Sequence, residues 1–488
     1  MQLKVKFLRL TAGRPVAILH KKISEVAGIH VDDRILIRKN TRKIIAVVDI
    51  AIGVFEKDDL AVSTEISDGL GLKEGDIVEV EIAPRPESIS IISKKLKCSK
   101  LNEKEIKRVM GDIVKNALTE SEIAYFISAI YKCGMTEKEV REMTKAIVET
   151  GKKLNLHKKL VVDKHSIGGI PGRTTPIVVS ICAAAGLTMP KTSSRAITSP
   201  SGTADALEVI CKVDFTIPEI KRIIHKTGAC MVWGGSLGLA PADDKIIQVE
   251  RLINLDPDEQ LLASIMAKKI AMGSKFVLIE IPYGKYAKVN KKEALKLERK
   301  FKSLAKSFKI KIRCLLIKTK QPLGNGIGPA LEIKDVISVL KGEKGNELLK
   351  SRALALAAEI LEMSGKSRKG QGIKLASEIL DSGKAFSKFK QIIQAQQGRL
   401  NGIKEARLNY IIRAKRYCKI IEIDIKKINN LARILGCPAD KFSGIYLWKH
   451  LNEKIKKGDK ILTFYSESKS ELKEGIKFYN KNKPLIFK

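Results

Sequence analysis

Two segments of the chain combine the residue types that bind phosphate groups. The first reads DKHS at 163–166 and runs into the glycine-rich turn GGIPG at 168–172. The second, 191–203, holds one lysine, one arginine and seven hydroxyl residues. Backbone N–H groups at a helix start, hydroxyls and a lysine are the donors that an anion needs. The sequence therefore predicts two anion-binding loops, for two anionic groups or for one anion held from two sides.

The elements around these loops follow a strand, loop and helix alternation, which implies a parallel α/β sheet. We expect a short strand at Leu160–Val162 to enter the first loop and a second strand to open into the loop that begins at Lys191. Further elements are predicted by hydrophobic periodicity: a helix at 257–269, strands at 275–281 and 309–317, and mostly helix over 345–398.

The residues before this region show two other patterns. Short strands separated by turns predict a small β-barrel, with strands at 3–7, 16–19, 34–37, 44–48 and 77–82. The segment 83–87 reads as a linker. Residues 88–158 read as helices, because three capping boxes mark helix starts, namely Asn102 with Glu105, Thr119 with Glu122, and Thr136 with Glu139.

The predicted fold class is thus a multidomain α+β and α/β protein. Residues 1–86 form an N-terminal β-barrel, and 87–158 form a helical domain that is joined by about 245–272. A large α/β domain with a mixed sheet spans 159–400. Alternating strand and turn signals over 401–488 predict a compact C-terminal β/α subdomain.

The charge of the chain favours anionic ligands. Lysine and arginine number 91 against 54 acids, a formal net charge of +37, and such a field steers small anions and attracts polyanions. Nucleic acid is disfavoured as the main partner, because the lysines are spread along the chain, aromatics are only 5% and no RNA-binding signature occurs. The simpler alternative is that most of these charges are solvated.

Cysteine spacing and hydropathy indicate the compartment. The eight cysteines stand singly without a CxxC or CxxH pair, which predicts reduced thiols and no zinc site. The longest apolar runs are too short to span a bilayer, and the N-terminus lacks the apolar core of a signal peptide. We therefore expect a cytoplasmic protein with no membrane partner.

Several motifs, in order, resemble the pyrimidine-nucleoside phosphorylase family, which includes thymidine phosphorylase. They are DKHSxGG, KTSSRAITSPSGTAD, LLASIMAKK, GNGIGPALEI at 324–333, KAFSKFKQIIQAQQG at 384–398 and GIYLWKHLNEKIKKGDKIL at 444–462. The resemblance runs from about residue 88 to the end. It implies a pentosyltransferase that cleaves a glycosidic C–N bond with phosphate.

Within that family the chain is more similar to the archaeal AMP phosphorylases. The extra N-terminal β-domain, the run SRAITS at 194–199 and the segment NLDP at 254–257 point to this branch. Thymidine phosphorylases carry a base-binding arginine fifteen residues before the serine that matches Ser264. Here that position is Val249, and Arg251 is two residues away, so the thymine pocket is not reproduced. The implied reaction converts AMP and phosphate to adenine and ribose 1,5-bisphosphate, with CMP and UMP also accepted.

The resemblance also implies roles for individual residues. Phosphate would be held by one lysine, three hydroxyls and two glycines: Lys164, Ser166, Gly168, Gly169, Ser194 and Thr203. Ser264 and Lys268 match positions that contact the base, and Lys288 matches a contact to the phosphate of the nucleotide. The other substrate-binding positions, for AMP or phosphate, lie in the second loop and are Arg195, Ala196, Ile197, Thr198 and Ser199. Arg195 could clamp a phosphate bidentately.

Two residues are candidates for catalysis. Asp256 matches the acid that protonates the leaving base, a role for which burial must raise its pKa from about 3.9. By spacing alone, Asp256 before Pro257 is also a good helix N-cap. His165, beside the phosphate loop, can donate a hydrogen bond, act as an acid or simply pack in the loop.

The resemblance further implies a homodimer formed through the helical domain and larger homo-oligomers built by the N-terminal barrel. Closure of the helical domain over the α/β domain would exclude water. Phosphate is the co-substrate, and neither a metal nor an organic cofactor is expected. Two other functions stay open: a thymidine or uridine phosphorylase, and a non-catalytic basic RNA-binding protein on this fold.

Overall fold

The N-terminal residues form the predicted barrel. The computed structural model describes residues 1–53, 55–156, 158–196 and 199–488. The first elements are β1 (Gln2–Phe7), β2 (Val16–His20), α1 (Lys21–Ala27), β3 (Arg34–Lys39), β4 (Arg42–Ala51), β5 (Asp59–Val62), α2 (Thr64–Leu70) and β6 (Ile77–Ile82). The strands close in the order β1-β5-β2-β4-β3-β6. Strand β5 was not predicted, because its four residues are all buried and show no alternation of polar and apolar residues.

Four helices follow: α3 (Ser88–Leu96), α4 (Glu103–Val114), α5 (Glu120–Cys133) and α6 (Glu137–Thr150). All three predicted capping boxes are present, at the starts of α4, α5 and α6. A buried ion pair joins two of the helices, since Lys95 Nζ lies 2.8 Å from Glu139 Oε1. Both side chains are almost fully buried, so the pair depends on its additional hydrogen bonds to offset desolvation.

The prediction that all cysteines are reduced is wrong for two of them. Cys98 follows α3, Cys133 ends α5, and the two form a disulfide with a Cα–Cα distance of 5.1 Å. Their sequence separation of 35 residues gives no short motif, so only the packing of α3 against α5 brings them together. The other cysteines are free and mostly buried.

The α/β region carries the two predicted loops. Its elements are β7 (Val162–Ser166), α7 (Thr174–Ala184), β8 (Met189–Ser193), α8 (Thr203–Leu207), α9 (Ile217–Thr227), β9 (Ala229–Trp233), α10 (Pro241–Ile253), α11 (Asp258–Ala271), β10 (Phe276–Tyr283), α12 (Lys291–Ser307), β11 (Lys311–Lys318), β12 (Gly326–Ile327), α13 (Pro329–Leu340), α14 (Glu347–Met363), α15 (Gly372–Asp381) and α16 (Lys384–Ala395). Strands β11-β10-β7 pair in parallel, as do β8 and β9. A parallel bridge between Val161 and Thr188 links β7 to β8.

The boundary of the first strand differs from the expectation. The strand was predicted at 160–162 with a loop beginning at Asp163, but β7 extends to Ser166. It pairs along its whole length with β10, from Val162 opposite Phe276 to Ser166 opposite Glu280. The strand can include the charged residues Asp163 and Lys164 because each has a buried partner of opposite charge. Hydropathy does not predict such partners.

The C-terminal subdomain contains β13 (Leu408–Arg413), β14 (Cys418–Ile423), α17 (Ile425–Ile434), β15 (Gly444–Leu447), β16 (Lys454–Ile455), β17 (Lys460–Ser466), α18 (Lys469–Asn482) and β18 (Leu485–Phe487). One antiparallel sheet has the order β12-β15-β17-β13, so the GNGIGPALEI motif contributes a strand to it. A second sheet has the order β16-β14-β18. The predicted multidomain α+β and α/β class is confirmed.

The chain divides into two compact units. One comprises residues 1–151 and 240–264, and the other comprises 152–239 and 265–488. The first contains the barrel with its own core and the helices. The second contains the α/β core and the C-terminal core. No helix in the described ranges is long and apolar enough to cross a membrane.

Candidate active site

A buried network of charges begins at Lys164 on β7. The side chain is 2% exposed, and its Nζ lies 2.9 Å from Glu280 Oε2 and 3.0 Å from Thr174 Oγ1. Arg352 Nη1 lies 3.0 Å from the other oxygen of Glu280. Burial raises the pKa of Glu280, but Lys164 and Arg352 outweigh it and hold that pKa below its usual value. Glu280 is therefore an anion between two cations.

The neighbouring Asp163 contacts two more lysines, Lys269 and Lys191. Its Oδ2 accepts a 2.7 Å bond from Lys269 Nζ, and its Oδ1 lies 4.0 Å from Lys191 Nζ. All three side chains are buried. Burial, and then the charge of Lys269, lower the pKa of Lys191 to about 7, although Asp163 opposes the shift.

We call this network, formed by Lys164, Lys191 and Lys269 with Asp163 and Glu280, the lysine cluster. With Arg352 it holds four cations against two carboxylates when Lys191 is protonated. A buried excess of positive charge is costly unless an anion compensates it. The cluster therefore fits an anionic ligand beside the first loop. Lys191 was noted only as the lysine of the second loop, and Lys269 was not predicted, because their proximity to Asp163 depends on strand pairing and on the packing of α11.

His165 lies between these lysines on β7 and is half-buried. Burial, followed by the charges of Lys269, Lys191 and Lys164, lowers the pKa of His165 well below its usual value. The imidazole is therefore neutral near pH 7, which disfavours an acid role and leaves hydrogen bonding to a ligand.

The first loop depends on its glycines. Gly168, Gly169 and Gly172 have φ angles of 92°, 90° and 110°, a left-handed region that glycine adopts without strain. A Cβ at Gly172 would lie 2.7 Å from Leu323 Cβ, and one at Gly169 would lie 3.8 Å from the backbone nitrogen of Lys288. The structure thus brings Gly169 and Lys288, predicted to contact two different phosphates, into close proximity.

The second loop is built differently from the expectation. The strand β8 continues to Ser193, so Lys191 belongs to the strand and not to the loop. The Arg195 guanidinium binds Glu208 bidentately at 2.9 and 3.0 Å, which replaces the predicted phosphate clamp. Ile197 and Thr198 lie outside the described residues.

Other members of this loop also have local partners. The Ala196 N–H donates to Asp205 Oδ2 at 2.8 Å, and the Ser199 hydroxyl donates to the Ser201 carbonyl at 2.6 Å. Ser194 is exposed, while Thr203 begins α8 and is half-buried. Ser166, at the end of β7, is half-buried too.

An arginine that the sequence reasoning missed joins the two loops. Arg173 Nε donates to Glu332 Oε2 at 2.7 Å, and its Nη2 donates to the Ser201 carbonyl. The N–H of Gly172 donates to the other oxygen of Glu332 at 3.1 Å. Arg173 directly follows the glycine turn, but its partner on α13 could not be read from spacing.

Two of the remaining predicted residues, Asp256 and Lys268, lie just before α11 or on it. Asp256 lies in the loop before that helix and is exposed, so the expected burial is not found. The helix begins at Asp258, and the Leu261 N–H bonds the Pro257 carbonyl at 2.9 Å. Pro257, and not Asp256, therefore occupies the N-cap position. Lys268 and Lys288 are half-buried.

Ser264 belongs to a buried polar group in the unit that contains residues 240–264. Its hydroxyl donates to Asp243 Oδ2 at 2.8 Å, and Gln260 Nε2 donates to Asp243 Oδ1 at 3.0 Å. Because the hydroxyl proton is committed to a carboxylate, Ser264 Oγ has acceptor capacity for a ligand.

Comparison with known proteins places this geometry in a class. The helical-bundle domain of a glycosyl transferase family matches residues 89–151, and the α/β domain of that family matches 158–386. The pyrimidine nucleoside phosphorylase C-terminal domain matches residues 419–485. Anthranilate phosphoribosyltransferase from Thermus thermophilus has a similar fold, with a TM-score of 0.53 and 18% identity over 63% of this chain and 99% of that chain.

Full-length relatives give the family. AMP phosphorylase from Pyrococcus horikoshii is 45% identical, and those from Thermococcus kodakarensis and Methanococcus vannielii are 41% and 40% identical. Each alignment covers 99% of this chain and 97% of the relative. The chain belongs to the AMP phosphorylase family, as its motifs indicated.

Proposed function

We propose that the protein is an AMP phosphorylase, which transfers the ribosyl phosphate of AMP to inorganic phosphate and releases adenine. The product is ribose 1,5-bisphosphate, and CMP and UMP are further substrates. The observation that carries the proposal is identity of 40–45% over nearly the whole chain to AMP phosphorylases. The buried positive charge of the lysine cluster supports an anionic co-substrate.

Phosphate takes the site beside the first loop. Lys164 and the rest of the lysine cluster supply the field, while Ser166, Gly168, Gly169, Ser194 and Thr203 supply directed bonds. His165, held neutral by the surrounding lysines, donates or accepts a hydrogen bond. Such fixed donors stabilise the attacking anion without reorganisation during the reaction.

The nucleotide's phosphate is the ligand proposed for Lys288, whose backbone lies beside Gly169. Its base is the ligand proposed for Ser264 and Lys268, four residues apart on α11. Ser264 donates to Asp243 and can accept from an exocyclic amine, which adenine and cytosine both carry. This matches AMP and CMP better than UMP.

Asp256 is proposed to protonate the leaving base. The side chain is exposed, so the bound base must itself displace water from the carboxyl for this role. Asp256→Asn retains the shape and removes the proton, so it separates the acid role from packing.

The test is phosphate-dependent release of free base from AMP, beside adenosine, thymidine and uridine, with and without a metal chelator. Phosphate-dependent cleavage of AMP that survives the chelator and collapses in Asp256→Asn supports the proposal. Cleavage of nucleosides alone assigns the protein to the nucleoside phosphorylases. RNA binding without turnover of any substrate refutes an enzymatic function.

We further propose a homodimer, assembled into larger particles by the barrel. Four apolar barrel residues are strongly exposed, with Val26 at 88%, Ile52 at 70%, and Ile77 and Ile82 at 57% each. Contact with a neighbouring subunit would remove this apolar surface from water. Deleting residues 1–84 should reduce the particle mass in light scattering, and an unchanged mass would refute the role of the barrel.

A further inference from the structure

The C-terminal subdomain touches each loop of its own unit that carries proposed ligand residues. Helix α17 presents Asn429 and Arg433 on one face, since residues four apart are neighbours on a helix. Asn429 Nδ2 donates to the Gly169 carbonyl at 3.2 Å, in the first loop. Arg433 Nη2 donates to the Ser199 carbonyl at 3.3 Å, in the second loop. One helix face therefore holds both loops.

A third contact reaches the loop that carries Lys288. Glu422, on β14 directly before α17, accepts a 2.6 Å bond from Lys285 Nζ. The Tyr286 hydroxyl also donates to Glu422. The pair lies at the surface, since the Lys285 side chain is 70% exposed and that of Glu422 is 31% exposed. These two bonds restrain Lys285 and Tyr286, directly before Lys288 in the same loop.

A fourth contact supports the second loop from its base. Lys441 Nζ lies 3.1 Å from Glu208 Oε2, and Glu208 is the bidentate partner of Arg195. The Asn429 bond spans 260 residues, the Arg433 bond spans 234 and the Glu422 bond to Lys285 spans 137. The C-terminal subdomain is thus bonded to every ligand loop of its unit.

The bond at Gly169 has a directional consequence. A peptide unit is planar and trans, so its C=O and N–H point in opposite directions. Asn429 fixes the Gly169 carbonyl and thereby also orients the N–H of Ile170. Gly168 and Gly169 have φ angles near 90°. Because glycine has no side chain to restrict its backbone, a bond from outside the loop is needed to fix the orientation of this peptide unit.

Asn429 is unusual for a helix residue in this position. Its side chain is only 6% exposed, and its Oδ1 has no hydrogen-bond partner within the described ranges of the chain. A buried amide with half of its capacity unused is costly, and an apolar residue would pack there without that cost. The position therefore serves the bond to Gly169 more than the stability of α17.

We propose that α17 and the end of β14 position the ligand loops, with Asn429 on α17 orienting the phosphate loop and Glu422 on β14 orienting the nucleotide-phosphate loop. These residues act through backbone and side chains of the loops, not by touching substrate. The assignment of ligands to loops rests on the proposed function. The hydrogen bonds between the loops and α17 or β14 are independent of the proposed function.

The kinetic test compares Asn429→Leu with Asn430→Leu. Asn430 is the exposed neighbour on the same helix, so the pair makes the same change with and without the loop contact. Loss of one positioning hydrogen bond predicts an increase of about tenfold in KM for phosphate, with KM for AMP within about twofold. The control variant should match the wild type.

Glu422→Gln gives the complementary signature. It weakens the contacts to Lys285 and Tyr286 at the surface of the subdomain, where the folded state tolerates change. KM for AMP should increase about fivefold, from the loss of a charge-assisted bond, while KM for phosphate stays unchanged. Equal changes in both constants, or none in either variant, would refute positioning.

Hydrogen exchange of the unliganded protein tests the same idea without turnover. Amide exchange over residues 168–172 should be faster in Asn429→Leu than in Asn430→Leu, with the same midpoint of thermal unfolding. If the wild type fails to cleave AMP while this difference persists, the proposed function is wrong and the positioning role stands. Identical exchange in the two variants overturns the positioning role. If Asn429→Leu does not fold, Arg433→Gln replaces it, with exchange read over residues 199–203.

Discussion

Lys191 should link anion binding to proton uptake. The side chain is buried, and its Nζ lies 4.0 Å from Asp163 Oδ1. Burial and the charge of Lys269 lower the pKa of Lys191 to about 7. An anion in the lysine cluster favours the protonated amine and raises that pKa. Sulfate is a suitable probe, because its charge stays at −2 over the pH range of interest.

The expected magnitude follows from linkage. If sulfate returns the pKa of Lys191 to about 9, the association constant falls about 25-fold between pH 7 and pH 9, and binding at pH 8 takes up about 0.8 proton. In the unliganded protein, the lowered pKa of Lys191 also determines the direction in which its contribution to stability changes with pH. The unfolded chain, with an ordinary pKa of 10.5, holds more protons above pH 7, so stability rises with pH from about 7 to 10.

Isothermal titration calorimetry with sulfate in buffers of different ionisation enthalpy measures the proton uptake directly. Lys191→Met keeps the length of the side chain and removes the amine, so the uptake should disappear. The rise in stability with pH should become smaller, while the part that comes from Lys245, whose pKa burial lowers to about 8, should remain. His165→Asn serves as the control, because a histidine whose pKa rises on binding would also take up protons. The reasoning is refuted if Lys191→Met retains the uptake, or if His165→Asn abolishes it.

Three further predictions follow from buried contacts. Asp243→Asn lets the Ser264 hydroxyl act as a donor, so the ratio of kcat/KM for AMP to kcat/KM for UMP should fall at least about tenfold. An unchanged ratio would show that Ser264 does not discriminate between the bases. Cys98→Ser should lower the free energy of unfolding by about 4 kcal/mol in urea titrations without reductant, and the difference from wild type should vanish when a thiol is added. Gln396→Leu leaves the buried N–H and C=O of Met231, bonded at 2.8 and 2.9 Å, without their partner. It should cost about 2–4 kcal/mol in the same assay, and a loss below about 0.5 kcal/mol would contradict this account.

Much of the architecture could be read from local patterns. The barrel strands alternate buried and exposed residues, as at Leu3 and Val5, and each capping box closes within three residues of the helix start. Such interactions involve neighbours in the chain, so the sequence contains both partners within one window. The glycines of the first loop are equally local, because a positive φ is a property of one residue.

The partners of the site residues were decided by the tertiary structure. Sequence patterns indicated Lys164 and Arg195 as ligands, but neither Glu280 nor Glu208 was foreseen as their partner. The same holds for the bond between Asn429 and Gly169, 260 residues apart. Residue types alone predicted that this chain binds anions at loops between strands and helices. Which lysines are buried together, which carbonyl is held and which cysteines are bonded depend on contacts between distant segments, whose energies no local window contains.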